Sequence, residues 1–406
     1  FGCMRHYYAY KMRMRYKYRL YPNQKEENKL RQFGGSCRYL WNWFLERQQQ
    51  ESKENGKFVF YNEMASHLVK EKANTPWLND VHSQVLQQSL RDLDQALKNC
   101  FKYKRGFPKF KTKRNFSDSF RYTQGLRYER NRVYLPKIGW VKRDVHRKLP
   151  SIPTSATIIQ DGNKWYISFV VEVESQPEVQ VKEAVGIDLG IKHFLVTSDG
   201  EIIDNPKFLD KSLKKLRRKQ RQLTRKQKGS SNRKKQQLVV YNQHKKIRNQ
   251  RHDFLHQVSS QITNDYDLIC TEDLNVSRMT KNHNLARSIG QSGWNAFVSM
   301  LEYKSRLKGK VTVKINRFAL SSKTCSGCGK RHDLALRDRW ISCECGWEID
   351  RDANAALNIY RWGIEKYTQG TWGINACGDT TAGDILSGMS RYVSPKQEAL
   401  NLLSKE

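Results

Sequence analysis

Residues 181–200 read VKEAVGIDLGIKHFLVTSDG, an apolar, β-rich run with Asp188 inside it. The pattern predicts a strand in a buried sheet, where an unpaired carboxylate is costly. The run YDLICTEDL (266–274) repeats the theme, with a short apolar strand from Leu268 to Cys270 ending in Glu272. A third acid arises differently in EIDRDANAALNIYRW (348–362), where Asp350 and Asp352 precede Ala355, Ala356 and Ile359. That spacing sets Asp352 in the first turn of a helix whose apolar face packs on the sheet. Two strand-borne acids and one helix-borne acid then meet at one sheet edge. Three carboxylates so placed repel one another unless cations neutralise them, and oxygen ligands suit Mg²⁺ or Mn²⁺. Two ions about 4 Å apart can activate a water and stabilise a leaving 3′ oxygen in phosphodiester hydrolysis. Asp188 takes the bridging role, Glu272 and Asp352 hold one ion each, and Asp350 is an N-cap or neighbouring acid. Taken singly, an Asp at a strand end is commonly a turn or cap residue; the combination carries the reading.

The rest of the composition bears on what such a site would act upon. The chain has 406 residues, 74 Lys and Arg against 40 Asp and Glu, and a formal charge of +34. An excess of that size faces a polyanion, and nucleic acid is the leading partner over a merely basic surface. With 38% hydrophobic residues the chain is long enough for several cores and is not disordered. It shows no run of 18 apolar residues and no signal-peptide core, so the expectation is a cytoplasmic protein without a membrane partner. Nine cysteines in a reducing compartment point to metal before disulfides.

The basic charge is patterned. From Lys11 to Leu20 apolar and basic residues alternate, with Arg13, Arg15 and Lys17 central to the cationic face of a half-buried strand. Like charges in a row repel unless an anion neutralises them, which favours a phosphate backbone. Helical stripes follow at Phe33, Cys37, Leu40 and Phe44, and at Leu86, Leu90, Leu93, Leu97 and Phe101; they are core. Aromatic and basic residues interleave over 101–124, ending in FRYTQ, where Tyr122, Thr123 and Gln124 are candidates for reading DNA bases or else ordinary strand residues. A polar segment, VESQPEVQVK, sets a boundary near residue 180. From Lys211 to Arg251 there are 17 Lys and Arg and no Asp or Glu, in two helical blocks broken at KGSSNRKK. Leu213, Leu216 and Leu223 give the first block one narrow apolar edge, leaving Arg217, Arg218 and Arg221 for a nucleic-acid backbone. A solvated charged helix normally mixes both signs.

Cys325 and Cys328 form a C-x-x-C knuckle, and after 14 intervening residues Cys343 and Cys345 close the set as C-x-C. Four thiolates on two glycine-bearing turns match one structural zinc ion. The second pair is one residue short of the usual spacing, and His332 offers an alternative ligand. Cys3, Cys37, Cys100, Cys270 and Cys377 show no pairing logic.

GIDLGIKHFLVTSDG, TEDLNV, CSGCG…CECG and DRDANAALNI, in this order and with the basic hairpin between the first two, resemble the TnpB proteins of bacterial and archaeal insertion-sequence transposons, relatives of the type V CRISPR nucleases. RLYPN, GSCRYLWNWFL, GFPKFK…SFRYTQ, INACG and SPKQEA extend the likeness over nearly the whole chain. The resemblance implies a mixed α/β, multidomain architecture: an RNase H-like RuvC nuclease domain (181–316 and 350–370) with the basic hairpin at 209–257 and an inserted zinc ribbon at 317–349. Before it come a wedge-like β-barrel (1–21 and 107–180) carrying a helical recognition insertion (22–106), and after it a C-terminal tail (371–406). It further implies a guide RNA from the transposon end, pairing with target double-stranded DNA beside a short motif, in a monomeric ribonucleoprotein of a prokaryotic nucleoid. Asp188, Glu272 and Asp352 fall on the family's catalytic positions, and Cys325, Cys328, Cys343 and Cys345 on its zinc positions. The residues alone support a metal-dependent nuclease or recombinase with a zinc ribbon; RNA guidance comes from the resemblance. The alternatives are an RNA-guided DNA-binding repressor that does not cleave, and a DNA strand-transferase.

Overall fold

A computed structural model describes residues 10–113, 117–335 and 338–371. The expected C-terminal tail beyond 371, with INACG, SPKQEA and Cys377, lies outside the described residues, as does Cys3. Two compact units divide the described residues: 11–173 with 227–242, and Tyr10 with 174–226 and 243–371.

The first unit opens with β1 (Lys11–Tyr21), whose alternation is realised: Tyr18 and Leu20 are buried, while Lys11, Arg13, Arg15 and Lys17 are exposed. Asn23 then starts α1 (Gln24–Asn55) with a capping box, its side chain accepting from the Glu26 N–H while Glu26 accepts from the Asn23 N–H. Gly56, at φ 62°, ends that helix in the left-handed region. There follow α2 (Tyr61–Asn74), a 3₁₀ turn (Pro76–Asp80) and α3 (Ser83–Tyr103). The predicted stripes are core: Phe33, Cys37, Leu40 and Phe44 on α1 and Leu86, Leu90, Leu93 and Leu97 on α3 are buried. Phe101 departs from the expectation. It is 47% exposed, because the last turn of α3 runs past the core, and its ring meets only Phe58 edge-on at 4.7 Å among the described rings.

Strands β2 (Ser119–Tyr122), β3 (Arg127–Tyr128), β4 (Arg132–Leu135), β5 (Gly139–Arg143), β6 (Ser155–Asp161) and β7 (Lys164–Glu174) join β1 in one sheet ordered β2-β6-β7-β1-β5-β4-β3. No closed barrel is detected among the described residues. Closure would need β2 and β3 to pair, and β3 is only two residues long.

The second unit contains β8 (Ala184–Asp188), β9 (His193–Thr197), β10 (Ile202–Asp204), α4 (Phe208–Thr224), the part of α5 (Ser231–Asp265) from Gln243 onward, β11 (Leu268–Glu272), α6 (Val276–Met279), α7 (His283–Ser292), α8 (Trp294–Leu307), β12 (Val311–Ile315), β13 (Trp340–Ser342), β14 (Glu348–Asp350) and α9 (Arg351–Thr371). Five strands form a mixed sheet, β10-β9-β8-β11-β12, with β8, β11 and β12 parallel and β9 antiparallel to β8. Side chains alternate across it. Val185, Ile187 and Ile269 join Leu255, Ile262, Phe297 and Leu301 of α5 and α8 on one face, and Leu268 and Cys270 join Ile359 and Ile364 of α9 on the other. Each such side chain removed from water stabilises by roughly 1.5–3 kcal/mol.

Two glycines bring α9 onto the strands. A Cβ on Gly186 would lie 2.2 Å from the Ala356 carbonyl oxygen and 2.5 Å from the Tyr360 nitrogen, and one on Gly363 would lie 2.2 Å from Cys270 Sγ. Only hydrogen fits at either place. Among the described residues no helix is long and apolar enough to cross a membrane.

Candidate active site and metal centre

Asp188 is the last residue of β8 and Glu272 the last of β11. The strands are parallel with Thr271 opposite Ile187, so the next step in register brings Glu272 beside Asp188 at the same sheet end. Asp352 enters from α9, which the Gly186 contact presses onto β8. Asp350 caps that helix: its Oδ1 accepts from the Asp352 N–H at 2.8 Å and the Ala353 N–H at 3.3 Å. Of the two roles open to Asp350, the structure gives it the cap.

Burial, then the charges of Glu272 and Asp352, raise the Asp188 carboxyl well above the usual carboxylate range, against Arg351 and the Leu189 N–H. Burial also raises Glu272, opposed by a hydrogen bond from the Ser321 hydroxyl to its Oε1. Carboxylates destabilised in their charged form by burial and by one another gain from a bound cation, and hard oxygen donors fit Mg²⁺ or Mn²⁺.

Sequence reasoning missed the groups that surround the acids. Arg339 reaches Asp352 Oδ2 at 3.5 Å, Arg351 lies 3.7 Å from its Oδ1, and Arg317 pairs with Asp273. The alternating charges of RDRW and DRD were the available signal; Ser321 had none, since nothing local marks it as a neighbour of Glu272.

The cysteines do assemble. Cys325 and Cys345 sulfurs are 3.8 Å apart, Cys328 and Cys343 are 3.5 Å apart, and all four lie within 4.8 Å of one another. A tetrahedral site with Zn–S near 2.3 Å has sulfur edges of about 3.8 Å, so the set fits one zinc ion. His332 is not part of this group. Among the described residues these cysteines alone gather so tightly; the three carboxylates stand further apart. The short C-x-C spacing is absorbed by a tighter turn. In the first knuckle the Cys325 N–H donates to the Lys330 carbonyl and the Gly329 N–H to the Cys325 carbonyl. In the second the Cys343 N–H reaches only to Trp347 and the Gly346 N–H to Cys343. Both glycines are left-handed, at φ 81° and 83°. The strands β13 and β14 close the module, with Ile341 opposite Ile349.

The nucleic-acid candidates divide. Arg13, Arg15 and Lys17 are exposed on β1, although Arg13 pairs with Glu172 at 3.4 Å and the Lys17 ammonium sits 4.3 Å from the centre of the Tyr166 ring. Arg217, Arg218 and Arg221 are exposed on α4, whose buried edge is Leu216. Tyr122 is a correction: it is fully buried, packs near Phe33 and Phe120, and donates its hydroxyl to the Pro136 carbonyl at 3.0 Å, so it has no surface to offer a base. Thr123 is half-buried, and Gln124 is exposed and accepts from Gln84.

The fold and the two sites together define a four-cysteine-knuckle α/β protein with an acidic sheet edge, and its fold is similar to that of Cas12f. A solved structure, "Cryo-EM structure of the Cas12f1-sgRNA-target DNA complex", matches over 83% of each chain with a TM-score of 0.54 at 15% identity. Family models match residues 168–283 as "Probable transposase" and 294–359 as "Cas12f1-like, TNB domain". A third, "Helix-turn-helix domain", matches 12–57, where the structure has β1 and one unbroken helix instead of two helices and a turn. An Escherichia coli (strain K12) protein named "Putative RNA-guided DNA endonuclease InsQ" is 36% identical over 366 residues, 85% of this chain and 90% of its own. A Streptomyces pristinaespiralis protein named "Putative RNA-guided DNA endonuclease" is 34% identical, covering 94% of this chain and 95% of its own. The chain belongs to the TnpB family of transposon-encoded proteins.

Proposed function

We propose that the protein is a metal-dependent, RNA-guided DNA endonuclease, cutting guide-matched double-stranded DNA beside a short motif. The observation that carries the reading is the convergence of Asp188, Glu272 and Asp352 on one end of a sheet, with Asp188 raised by burial and then by its two neighbours. Support comes from the names of the InsQ and Streptomyces relatives and from the complex of Cas12f1 with guide RNA and target DNA, whose fold this chain shares.

In this reading the five-stranded sheet with α9 is the RuvC-like nuclease core, the cysteine knuckle is its zinc ribbon, and the Lys11–Val173 unit supplies the wedge and the helical recognition part. Bound Mg²⁺ or Mn²⁺ would supply a water of lowered pKa and neutralise charge on the leaving 3′ oxygen. Asp188, Glu272 and Asp352 are the residues that would hold the ions, Asp188 shared and Glu272 and Asp352 one each. Asp350 fixes the first turn of α9 and with it the Asp352 backbone. Arg339, with its side chain about half exposed beside Asp352, is placed to hold a phosphate oxygen. The exposed cations of β1 and α4 bind nucleic-acid backbones, and base pairing to a guide supplies sequence specificity. The particle is a monomeric ribonucleoprotein.

The test is to express the protein with its flanking transposon DNA, sequence the copurifying RNA, and challenge the complex with a guide-matched plasmid in Mg²⁺. Wild type should cut, and Asp188→Ala should bind the plasmid without cutting it. Full cutting by Asp188→Ala would remove the assigned site. Binding without cutting by wild type would favour the repressor, and joined products the strand-transferase.

A further inference from the structure

The DRDANAALNI motif carries two polar residues that the acidic site does not use. Asn354 and Asn358 are one turn apart on α9 and are 0% and 2% exposed, although buried amides are costly unless every donor is satisfied. Both turn toward the segment that enters the first cysteine knuckle. Asn354 Nδ2 donates to the Ser321 carbonyl at 3.2 Å and the Thr324 carbonyl at 2.7 Å, and Asn358 Nδ2 donates to the same two oxygens at 2.8 and 2.6 Å. The Ser326 N–H completes the arrangement by donating to Asn354 Oδ1 at 2.8 Å.

The segment so held touches both metal sites. Ser321, only 4% exposed, gives its hydroxyl proton to Glu272 Oε1, while Thr324 and Ser326 flank the knuckle ligand Cys325. One helix therefore presents Asp352 from its first turn and, two residues on, begins to grip the loop whose serine holds Glu272. Asp352 and Glu272 come from different elements, and no other hydrogen bond described for Glu272's side chain fixes its rotamer.

We propose that Ser321 is a positioning residue for Glu272 and that Asn354 and Asn358 are the clamp that keeps it in place, tying the knuckle loop, Glu272 and the Asp352 helix into one rigid frame. This rests on the reading of the three carboxylates as a divalent-metal site. A hydroxyl donated to one carboxylate oxygen leaves the other oriented toward the ion, and such outer partners of a ligand commonly account for 10–100-fold in metal affinity or activity. Asparagine suits the clamp because one amide supplies two donors to the carbonyls and one acceptor to the Ser326 N–H, which neither Asp nor Leu can do.

The test is Mn²⁺ binding to the purified full-length chain, followed by the electron paramagnetic resonance of free Mn²⁺, with zinc content measured in the same samples. Ser321→Ala should weaken Mn²⁺ binding about 10-fold, Ser321→Thr should restore it to within about threefold, and both should keep wild-type zinc. Asn354→Asp, which sets a carboxylate against two carbonyl oxygens, should weaken Mn²⁺ binding at least as much as Ser321→Ala. Asp188→Ala is the control for the underlying site and should lose Mn²⁺ binding. If Asp188→Ala loses binding while Ser321→Ala binds like wild type, the clamp is wrong and the carboxylate site stands. If Asp188→Ala itself binds Mn²⁺ normally, the site reading fails and the clamp with it. Equal weakening by Ser321→Ala and Ser321→Thr would also overturn the proposal, because a positioning hydroxyl must be replaceable by another hydroxyl.

Discussion

Gly186 faces the carbonyl oxygen of Ala356 so closely that a Cβ on the glycine would lie 2.2 Å from that oxygen. This contact lies two residues before Asp188 on its strand and four residues after Asp352 on its helix, so the distance between the two acids depends on a missing methyl group. Gly186→Ala should therefore force α9 away from β8, destabilising the protein by about 3 kcal/mol, the upper part of the range for overpacking. Urea unfolding measures the loss, and plasmid cutting should fall with it. Gly363→Ala meets a side chain instead, Cys270 Sγ at 2.2 Å. Its cost of about 2 kcal/mol should be partly recovered in the double variant with Cys270→Gly, which removes both the Sγ and the Cβ that lies 2.4 Å away, while no second-site change of that kind rescues Gly186→Ala.

Tyr122→Phe separates the two readings of FRYTQ. Losing the hydroxyl leaves the Pro136 carbonyl without its 3.0 Å donor, and the expected effect is about 1 kcal/mol of stability with target-motif preference unchanged. A changed motif preference at unchanged stability would return Tyr122 to the DNA interface.

Lys304 predicts a pH dependence. It is 9% exposed, donates to the His256 carbonyl and to the Ser259 and Ser260 hydroxyls, and is held down to about 8 by burial, with Lys308 adding repulsion. Because the folded value lies below the unfolded one, the unfolded chain binds more protons above pH ~8, so this residue makes the fold more stable as pH rises toward ~10.4. The slope cannot exceed about 1.4 kcal/mol per pH unit. Urea unfolding of wild type and Lys304→Met at pH 7.5, 8.5 and 9.5 should show the difference in stability between them growing in wild type's favour. Parallel curves would show that Lys304 does not titrate in this window.

Arg217, Arg218 and Arg221 are exposed on a helix with one buried leucine. Replacing all three with Ala should weaken RNA retention and flatten the dependence of log K on log salt by up to about two, at about 0.7 for each phosphate contact to single-stranded RNA. An unchanged slope would mean that these cations face solvent in the complex.

How far the sequence alone could be read follows from the range of the physics involved. The β1 alternation, the α1 and α3 stripes, the two basic helices and the cysteine spacing are local patterns that the structure realises, although the break between the helices, expected at 228–235, falls at 225–230. Phe101 and Tyr122 depart from their sequence reading because a period says which side a residue is on, not how far the core extends beneath it. The expected barrel fails at closure, which depends on whether β2 meets β3 and not on any one strand. The acids could be named individually from residue type and neighbours. Their meeting was decided by the parallel register of β8 with β11 and by the space above Gly186. The serine that holds Glu272 and the asparagines that hold the serine's loop had no local signal, because hydrogen bonds between residues more than thirty positions apart exist only once the sheet and α9 have packed.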